Sequence, residues 1–212
     1  DLVKLSPIWR LVAEVCAASV VWFAAGGVSL SGLPWLDFFL TVFWIVGVTN
    51  AFNLLDNMDG LAAGLCAITS MTYFAVASSN GQFLVAALSI GLAGCGLGFL
   101  KHNFHPARIY MGDSGALFIG FLIAYLGLKL RFERDIWVSA LVPILACSVA
   151  IFDTTLVVIS RLSAGRSPFQ GGQDHISHRL VRVGLPVPVA VGVIYFGAAA
   201  MGVHALVISR IE

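Results

Sequence analysis

The sequence carries little charge. Of its 212 residues only 11% are Asp, Glu, Lys or Arg, whereas soluble domains carry roughly 25%. No charged residue occurs from Gly60 to Leu100, and Glu14 is the only one from Leu11 to Leu36. The hydrophobic content is 59% and the mean hydropathy is +0.94. These values exclude an ordinary soluble domain and indicate a chain that lies in a membrane.

Signals for several other classes of protein are also missing. No basic tract indicates nucleic acid as a partner. The cysteines have no CxxC spacing and lie within apolar stretches, which favours small packing residues over a disulfide framework or a zinc site; they are Cys16, Cys66, Cys95 and Cys147. The strict alternation expected of membrane strands is absent. The sequence therefore predicts an all-α protein.

Apolar stretches bounded by charges, glycine and proline predict seven membrane-spanning helices. Each stretch is long enough to cross a bilayer, allowing for tilt, and helices satisfy their backbone hydrogen bonds within lipid. The predicted spans are 8–30, 35–54, 60–79, 82–100, 114–131, 136–160 and 185–208. We expect residues 1–212 to form one integral membrane domain, a polytopic helical bundle.

The distribution of basic residues predicts the orientation of the bundle. If Asp1 is placed in the cytoplasm, eight Lys and Arg residues near span ends face that side and four face the other. This bias agrees with the positive-inside rule. With that orientation every unusual polar cluster falls on the cytoplasmic side, as expected of an active site at a membrane surface.

The first polar cluster runs from Asn50 to Gly60, at the end of the second predicted span. Side chains three residues apart lie on adjoining turns of a helix, so Asn53 and Asp56 can converge on one ligand. Carboxylates and carboxamides are oxygen donors suited to Mg²⁺ and hydrogen-bond partners for a nucleobase. The alternative is a helix end, at which Asp and Asn side chains cap the next helix before Gly60.

The second cluster runs from Asn103 to Gly115. Asp113 precedes an apolar span, so it can cap that helix. The flanking glycines instead allow the backbone to approach a phosphate or a metal shell closely, and the residues alone leave both interpretations open. His102 and His105 are expected to be solvated loop residues.

The third cluster runs from Arg166 to Arg179. If a helical turn begins at Asp174, then His175, His178 and Arg179 share a face. Histidine and arginine beside a Gly-Gly turn suit a pyrophosphate, because charge-assisted hydrogen bonds are strong. A zinc pair and a loop that faces lipid headgroups are the weaker alternatives.

Two acidic residues lie inside predicted spans. Asp153 is in the sixth span, where an unpaired carboxylate costs about 2.5–3.5 kcal/mol, so we expect it to be paired or to face a polar cavity. Structural pairing and a functional role are equally compatible with its position. Glu14 follows Arg10 by four residues and is expected to pair with it along one helix.

Taken together, the three clusters resemble the polyprenyl-phosphate N-acetylhexosamine-1-phosphate transferases of glycosyltransferase family 4. The family pattern N-x-x-N-x-x-D-x-x-D-G matches Asn50 to Gly60, and N-F-x-P-A-x-I-x-M-G-D-S-G matches Asn103 to Gly115. The pattern H-x-H-H-R matches His175 to Arg179 with Ser177 in place of one histidine. The opening residues resemble the segment that follows the family's Asp-Asp motif, so Asp1 would be the second acid of that pair. The first acid and several upstream spans would then precede this chain.

The resemblance implies an enzyme of the bacterial cytoplasmic membrane that acts at its cytoplasmic face. It would transfer a sugar-1-phosphate from a UDP-sugar to polyprenyl phosphate and release UMP, the first step of a lipid-linked cell-envelope glycan. Mg²⁺, or Mn²⁺ in its place, would be bound by Asn53 and Asp113. The implied catalytic residues are Asp1, Asp56 and Asp113.

The resemblance also implies a set of substrate contacts. Asp59 would contact the uridine end, with Asn50 in the same cluster. His175, His178 and Arg179 would hold phosphate or sugar. A homodimer is possible, and the sequence does not indicate which UDP-sugar or which polyprenol would be used.

Two competing functions follow from the same residues. A transporter or channel would use intramembrane acids along a pathway, but it predicts polar residues at mid-span and on both sides. A non-catalytic remnant that still binds a UDP-sugar is the other. The one-sided distribution of polar residues favours the enzyme.

Overall fold

The computed structural model describes residues 6–132, 136–167 and 171–210, and within them all regular secondary structure is α-helical. The helices, numbered in chain order, are α1 (Pro7–Ala25), α2 (Pro34–Leu55), α3 (Leu61–Ser79), α4 (Phe83–Asn103), α5 (Gly112–Lys129), α6 (Ile136–Ala146), α7 (Ser148–Ser163), α8 (Ile176–Arg182) and α9 (Val187–Ile208). The predicted all-α class is confirmed.

Six helices of the described ranges are long and apolar enough to cross a membrane: α1 to α5 and α9. They correspond to six of the seven predicted spans, with ends that differ by a few residues. The predicted span 136–160 is instead two helices, α6 and α7, that meet at a bend of 73°. The bend could not be predicted because hydropathy reports the length of an apolar run and not its direction. Counted as one broken span, this pair is the seventh.

Close approach of helices through small residues builds the centre of the bundle. Gly120 of α5 faces α2, where an added Cβ would lie 2.9 Å from both the Cα and the carbonyl oxygen of Thr49. Such contact gains van der Waals packing that larger side chains would prevent, which is how helices associate in lipid. It sets α2 directly against α5, the two helices that carry the first two polar clusters.

The outer face of the bundle is apolar, as a lipid-facing surface must be. Large hydrophobic side chains such as Phe23, Phe43, Phe83 and Phe196 are more than 60% exposed. The fully buried side chains are packed between the helices and include Tyr73, Phe52 and Ile45. The chain therefore has the apolar outer surface of an integral membrane protein.

The polar clusters meet at one end of the bundle, which we call the polar end. It is made of the start of α1, the end of α2, the start of α5, the loops 56–60 and 104–111, the end of α7, and residues 171–182 with α8. Hydrogen bonds join these pieces directly. The opposite end has a cavity of about 590 Å³ between the α1–α2 loop, α5 and α6, well away from these clusters.

Candidate active site at the polar end

Asp113 is the meeting point of three helices. It lies in the first turn of α5. Its Oδ1 accepts a hydrogen bond from Asn53 Nδ2 of α2 at 3.0 Å, and its Oδ2 forms an ion pair with Arg10 Nη1 of α1 at 2.6 Å. The Asp113 side chain keeps 44% of its surface exposed. A ligand can therefore reach the carboxylate while α1 and α2 hold it.

The structure does not support capping as the role of these acids. The N-cap residue of α5 is Met111, with no side-chain capping bond, and Asp113 lies two residues further on. The N-cap of α3 is Gly60, which adopts φ of +80° and is likewise not capped by a side chain. Glycine suits this left-handed conformation because it has no Cβ. The acids are thus free to serve other contacts.

Asp56 places a second carboxylate near Asp113. It follows α2 directly and is half-buried, and the backbone N–H of Gly112 donates a hydrogen bond to it. Burial, and then the negative charge of Asp113, raise the pKa of Asp56 above its ordinary value. Two neighbouring acids that repel each other are stabilised in their ionised form by a bound cation.

Asp59 and Asn103 join the first two clusters. Asp59 Oδ2 lies 2.9 Å from His105 Nδ1 and accepts the backbone N–H of Ala107 at 3.0 Å. Asn103 is buried, and its Oδ1 accepts the N–H of Gly60 at 3.1 Å. His105 is an exposed loop residue, as predicted, and its ring also contacts Asp59. His102 is exposed too, but it lies on the last turn of α4 and not in the loop.

Asn50 lies one turn deeper along α2 than Asn53. Its Nδ2 donates to Glu14 Oε2 of α1 and to the carbonyl oxygen of Val46 at 2.9 Å. The charge of Arg10 acts on Glu14, as predicted, but both side chains also reach other helices. Arg10 forms an ion pair with Asp113, and Glu14 accepts a hydrogen bond from Asn50 of the facing helix.

The third cluster lies at the start of α8. This helix begins at Ile176 with His175 as its N-cap residue, two residues later than the turn predicted from Asp174. The rings of His175 and His178 lie side by side, 6.1 Å between centroids. Arg179 is exposed, and its Nε donates to the carbonyl oxygen of Asp174 at 2.9 Å.

Ser177 connects the third cluster to the first. It is fully buried, and its Oγ donates to Asn57 Oδ1 at 2.7 Å. Asn57 in turn donates through Nδ2 to the carbonyl oxygen of Leu54 at 2.8 Å. Ser177 is the residue that stands in place of a histidine in the resemblance, and here it fixes α8 to the loop that carries Asp56 and Asp59.

Two arginines hold the segment before α8. Arg161 Nε and Arg166 Nη2 donate to the two oxygens of Asp174 at 3.1 and 2.8 Å. The hydrogen bond from Arg166 has the larger effect on the pKa of Asp174, and together with the bond from Arg161 it lowers that pKa below its ordinary value. Burial, followed by the neighbouring His175, lowers the pKa of His178. The segment is therefore anchored by a carboxylate that stays ionised.

Some residues that build this arrangement carry no signal in the three sequence clusters or in helical spacing. They are Arg10 in its contact with Asp113, Asn57 in its contact with Ser177, and Arg161 in its contact with Asp174. A signal existed for Arg161, which is buried with 2% of its side chain exposed although it follows an apolar run, where a charge requires a partner. Asp1 lies outside the described residues.

The donors at the polar end fit a magnesium ion better than a zinc ion. Among the described residues no group of three or more His, Cys, Asp and Glu side chains could hold a metal by itself. Mg²⁺ is typically bound through one or two carboxylates, with water and substrate phosphates completing its shell. Asp113, Asp56 and the amide of Asn53 supply that type of donor set.

Comparison with known proteins agrees with the resemblance of the motifs. The model of the family described as Glycosyl transferase family 4 matches residues 1–131. The chain belongs to glycosyl transferase family 4. Its curated relatives include a "Probable undecaprenyl-phosphate N-acetylglucosaminyl 1-phosphate transferase" of Bacillus subtilis, 42% identical over 83% of this chain and 49% of the relative.

Further family members with related names also match. The "Decaprenyl-phosphate N-acetylglucosaminephosphotransferase" of Mycobacterium leprae is 36% identical over 90% of this chain and 54% of the relative. The "Phospho-N-acetylmuramoyl-pentapeptide-transferase" of Moorella thermoacetica is 35% identical over 78% of this chain and 52% of the relative. The chain spans about half the length of the curated relatives it matches.

Proposed function

We propose that this chain forms the active-site part of a membrane enzyme that transfers N-acetylhexosamine-1-phosphate from a UDP-sugar to polyprenyl phosphate. The observation that carries the proposal is the junction at Asp113. There a partly exposed carboxylate is held by Asn53 and Arg10, with Asp56 beside it. The family relatives named for this chemistry act on undecaprenyl or decaprenyl phosphate, which supports a polyprenyl phosphate as the acceptor.

The reaction exchanges one phosphoanhydride for another. An oxygen of the lipid phosphate attacks the β-phosphorus of the UDP-sugar, and the bond from that phosphorus to the bridging oxygen breaks. UMP leaves with the bonding electrons, and the sugar-1-phosphate becomes linked to the lipid as a diphosphate. Both reacting groups are negatively charged, so positioning and electrostatic stabilisation dominate the catalysis.

The residues of the polar end would have distinct roles in this reaction. Asn53 and Asp113 would hold Mg²⁺, or Mn²⁺ in its place, with Asp56 next to them. The bound ion would neutralise phosphate charge and orient the leaving UMP. Arg10 adds a cation beside Asp113, and His178 with Arg179 would contact the phosphate or the sugar.

Other predicted contacts are proposals of the same kind. Asp59 would face the uridine end, although its Oδ2 is already engaged by His105 and Ala107, so its second oxygen would make the contact. Asn50 is bonded to Glu14, and we propose that it orients the end of α2 and does not bind the substrate directly. Asp1 would position or deprotonate the lipid phosphate.

Placement at the cytoplasmic face rests on the basic residues and on the clustering. Eight Lys and Arg residues on that side against four on the other agree with the positive-inside rule. A transport pathway would need polar groups along the length of the bundle, whereas the contacts between the clusters lie at one end.

The test measures release of UMP from a UDP-N-acetylhexosamine by the full-length protein, with polyprenyl phosphate and Mg²⁺ present. We expect Asp113→Asn to abolish release, because it removes the charge that binds the ion. Asp37→Asn is the matched control, because it also replaces a carboxylate with an amide. The Asp37 carboxylate is buried and accepts backbone hydrogen bonds from Leu30 and Ser31 in the loop before α2, at the opposite end of the bundle.

Near-normal turnover in Asp113→Asn would contradict the assignment. Calorimetric titration with the UDP-sugar and Mg²⁺ tests the alternative of a non-catalytic protein that still binds a UDP-sugar. Binding by the wild type without any turnover would indicate a protein that retains the nucleotide site but not the reaction.

A further inference from the structure

Asp153 is a buried carboxylate that the proposed mechanism leaves unused. It lies on α7 with no exposed surface. Its Oδ2 is 2.7 Å from His175 Nδ1, and its Oδ1 accepts the backbone N–H of Ile176 at 2.7 Å. Both oxygens therefore serve the first residues of α8, which are distant in sequence from Asp153.

The hydrogen bond to Oδ2 orients the His175 ring. A carboxylate oxygen accepts hydrogen bonds, as Oδ1 does from the Ile176 N–H, and with Oδ2 as the acceptor the donor is the Nδ1–H of His175. The ring is buried with 4% of its side chain exposed. One bond thus fixes both the tautomer and the orientation of the imidazole, as the outer partners of functional histidines commonly do.

The second hydrogen bond fixes the start of α8. Ile176 is the first residue of this helix, and its N–H would otherwise have no partner within the helix. Ser177 is fixed by Asn57 on the next position, and the His178 ring lies 6.1 Å from that of His175. The position of His178 is consequently set by Asp153 through two residues that contact Asp153 directly.

Packing alone does not account for a carboxylate at this position. Replacing a buried ionic pair with apolar residues of similar volume is often neutral or stabilising, so a buried charge is weak evidence for stability. Asp153 gives a definite proton position and a definite helix start, and both serve the cluster beside the proposed active site.

We propose that Asp153 is a positioning residue for the transfer reaction, which holds His175 in its Nδ1–H form and sets the start of α8 so that His178 is directed at the substrate phosphate. The inference rests on the proposed function. It adds an element outside the three sequence clusters, since Asp153 itself touches no substrate.

Asp153→Asn is a precise test because it changes hydrogen-bonding capacity at nearly constant shape. The one oxygen that remains is needed by the Ile176 N–H, so the amide NH₂ must face His175 Nδ1. That nitrogen then has to accept, and the proton moves to Nε2. We expect kcat for UMP release to fall about 30-fold, as for losses of partners that orient functional groups, with KM for the UDP-sugar changed less than about threefold.

A spectroscopic readout separates positioning from simple loss of structure. The ¹⁵N shifts of His175 in ¹⁵N-histidine-labelled protein report which ring nitrogen is protonated, and His175→Gln identifies its signals among the five histidines of the chain. We expect Nδ1 to be protonated in the wild type and Nε2 in Asp153→Asn. Thr154→Val is the control, because it changes the adjacent residue on α7 isosterically and its buried Oγ1 has no partner among the described residues.

The outcomes distinguish this inference from the proposed function. If the wild type releases UMP and Asp153→Asn matches Thr154→Val in kcat, or keeps the wild-type tautomer, the positioning role is overturned. No release from the wild type would overturn the proposed function and this role with it. Should Asp153→Asn fail to fold, His175→Asn replaces it, since its amide N–H can still donate to Asp153. It should then retain at least about tenfold more turnover than His175→Ala, and equal loss in both would overturn the inference.

Discussion

Arg10 and a bound cation must compete for Asp113. The guanidinium lies 2.6 Å from Asp113 Oδ2, on the carboxylate that we assign to the metal. A cation that binds there has to displace this ion pair or share the carboxylate with it. Replacing Arg10 with methionine removes the positive charge and retains much of the apolar length of the side chain, so it should ease binding of the metal.

The size of the effect follows from the exposure of the pair. The two side chains are 31% and 44% exposed, so water screens their attraction, and about 1 kcal/mol is a suitable value for such a pair. Since 1.4 kcal/mol corresponds to a factor of ten, a loss of about 1 kcal/mol corresponds to about fivefold. We therefore expect Arg10→Met to lower the Mg²⁺ concentration at half-maximal UMP release about fivefold.

The assay is a Mg²⁺ titration of UMP release at saturating UDP-sugar. Lys101→Met is the matched control, because it removes one positive charge from an exposed side chain at the same end of the bundle. The Mg²⁺ concentration at half-maximal UMP release should be about the same in Lys101→Met as in the wild type. An unchanged or higher Mg²⁺ requirement in Arg10→Met would refute the competition and, with it, the placement of the ion on Asp113.

Three further predictions test the packing that supports the site. Gly120→Ala should lower the temperature of thermal inactivation in detergent, because the added Cβ meets the backbone of α2. Gly94→Ala is the control and should not lower it, because the space around its Cβ is open. Equal inactivation temperatures for the two variants would refute the close contact. Ser177→Ala should cost about 1 kcal/mol in the free energy of unfolding, because it leaves Oδ1 of the half-buried Asn57 without this donor. An unchanged denaturant midpoint would contradict this. Asp174 has a lowered pKa, so its contribution to stability is present above its unfolded-state pKa and is lost as the pH falls through its folded-state pKa. The Asp174→Asn variant should therefore be less stable than the wild type at pH 7. On acidification below about pH 4 it should lose less of its stability than the wild type does.

The sequence was sufficient to predict the all-α membrane class and six of the spans. Lipid imposes long apolar helices on any chain that crosses it, so spacing and hydropathy alone locate the spans. The same physics makes polar residues costly within the membrane. For that reason the clusters around Asn53, Asp113 and His178 could be recognised as functional candidates, and their family resemblance agrees with the matched family model.

The partners within those clusters could not be predicted from spacing. Spacing predicts the interaction of Glu14 with Arg10, because residues four apart are neighbours on one helix. It does not predict the contacts with facing helices: Arg10 forms an ion pair with Asp113, and Asn50 donates a hydrogen bond to Glu14. In the same way, the exposure of His105 is predicted from its place in a loop, but its contact with Asp59 depends on the fold.

The sequence by itself therefore determined the class of protein, the positions of most of its apolar helices and the residue types of its polar clusters, since each depends on the local pattern of polar and apolar groups. Only the tertiary structure decided which of those groups touch. The bend between α6 and α7 and the reach of Asp153 to His175 depend on the directions of packed helices. No periodicity along one chain encodes those directions.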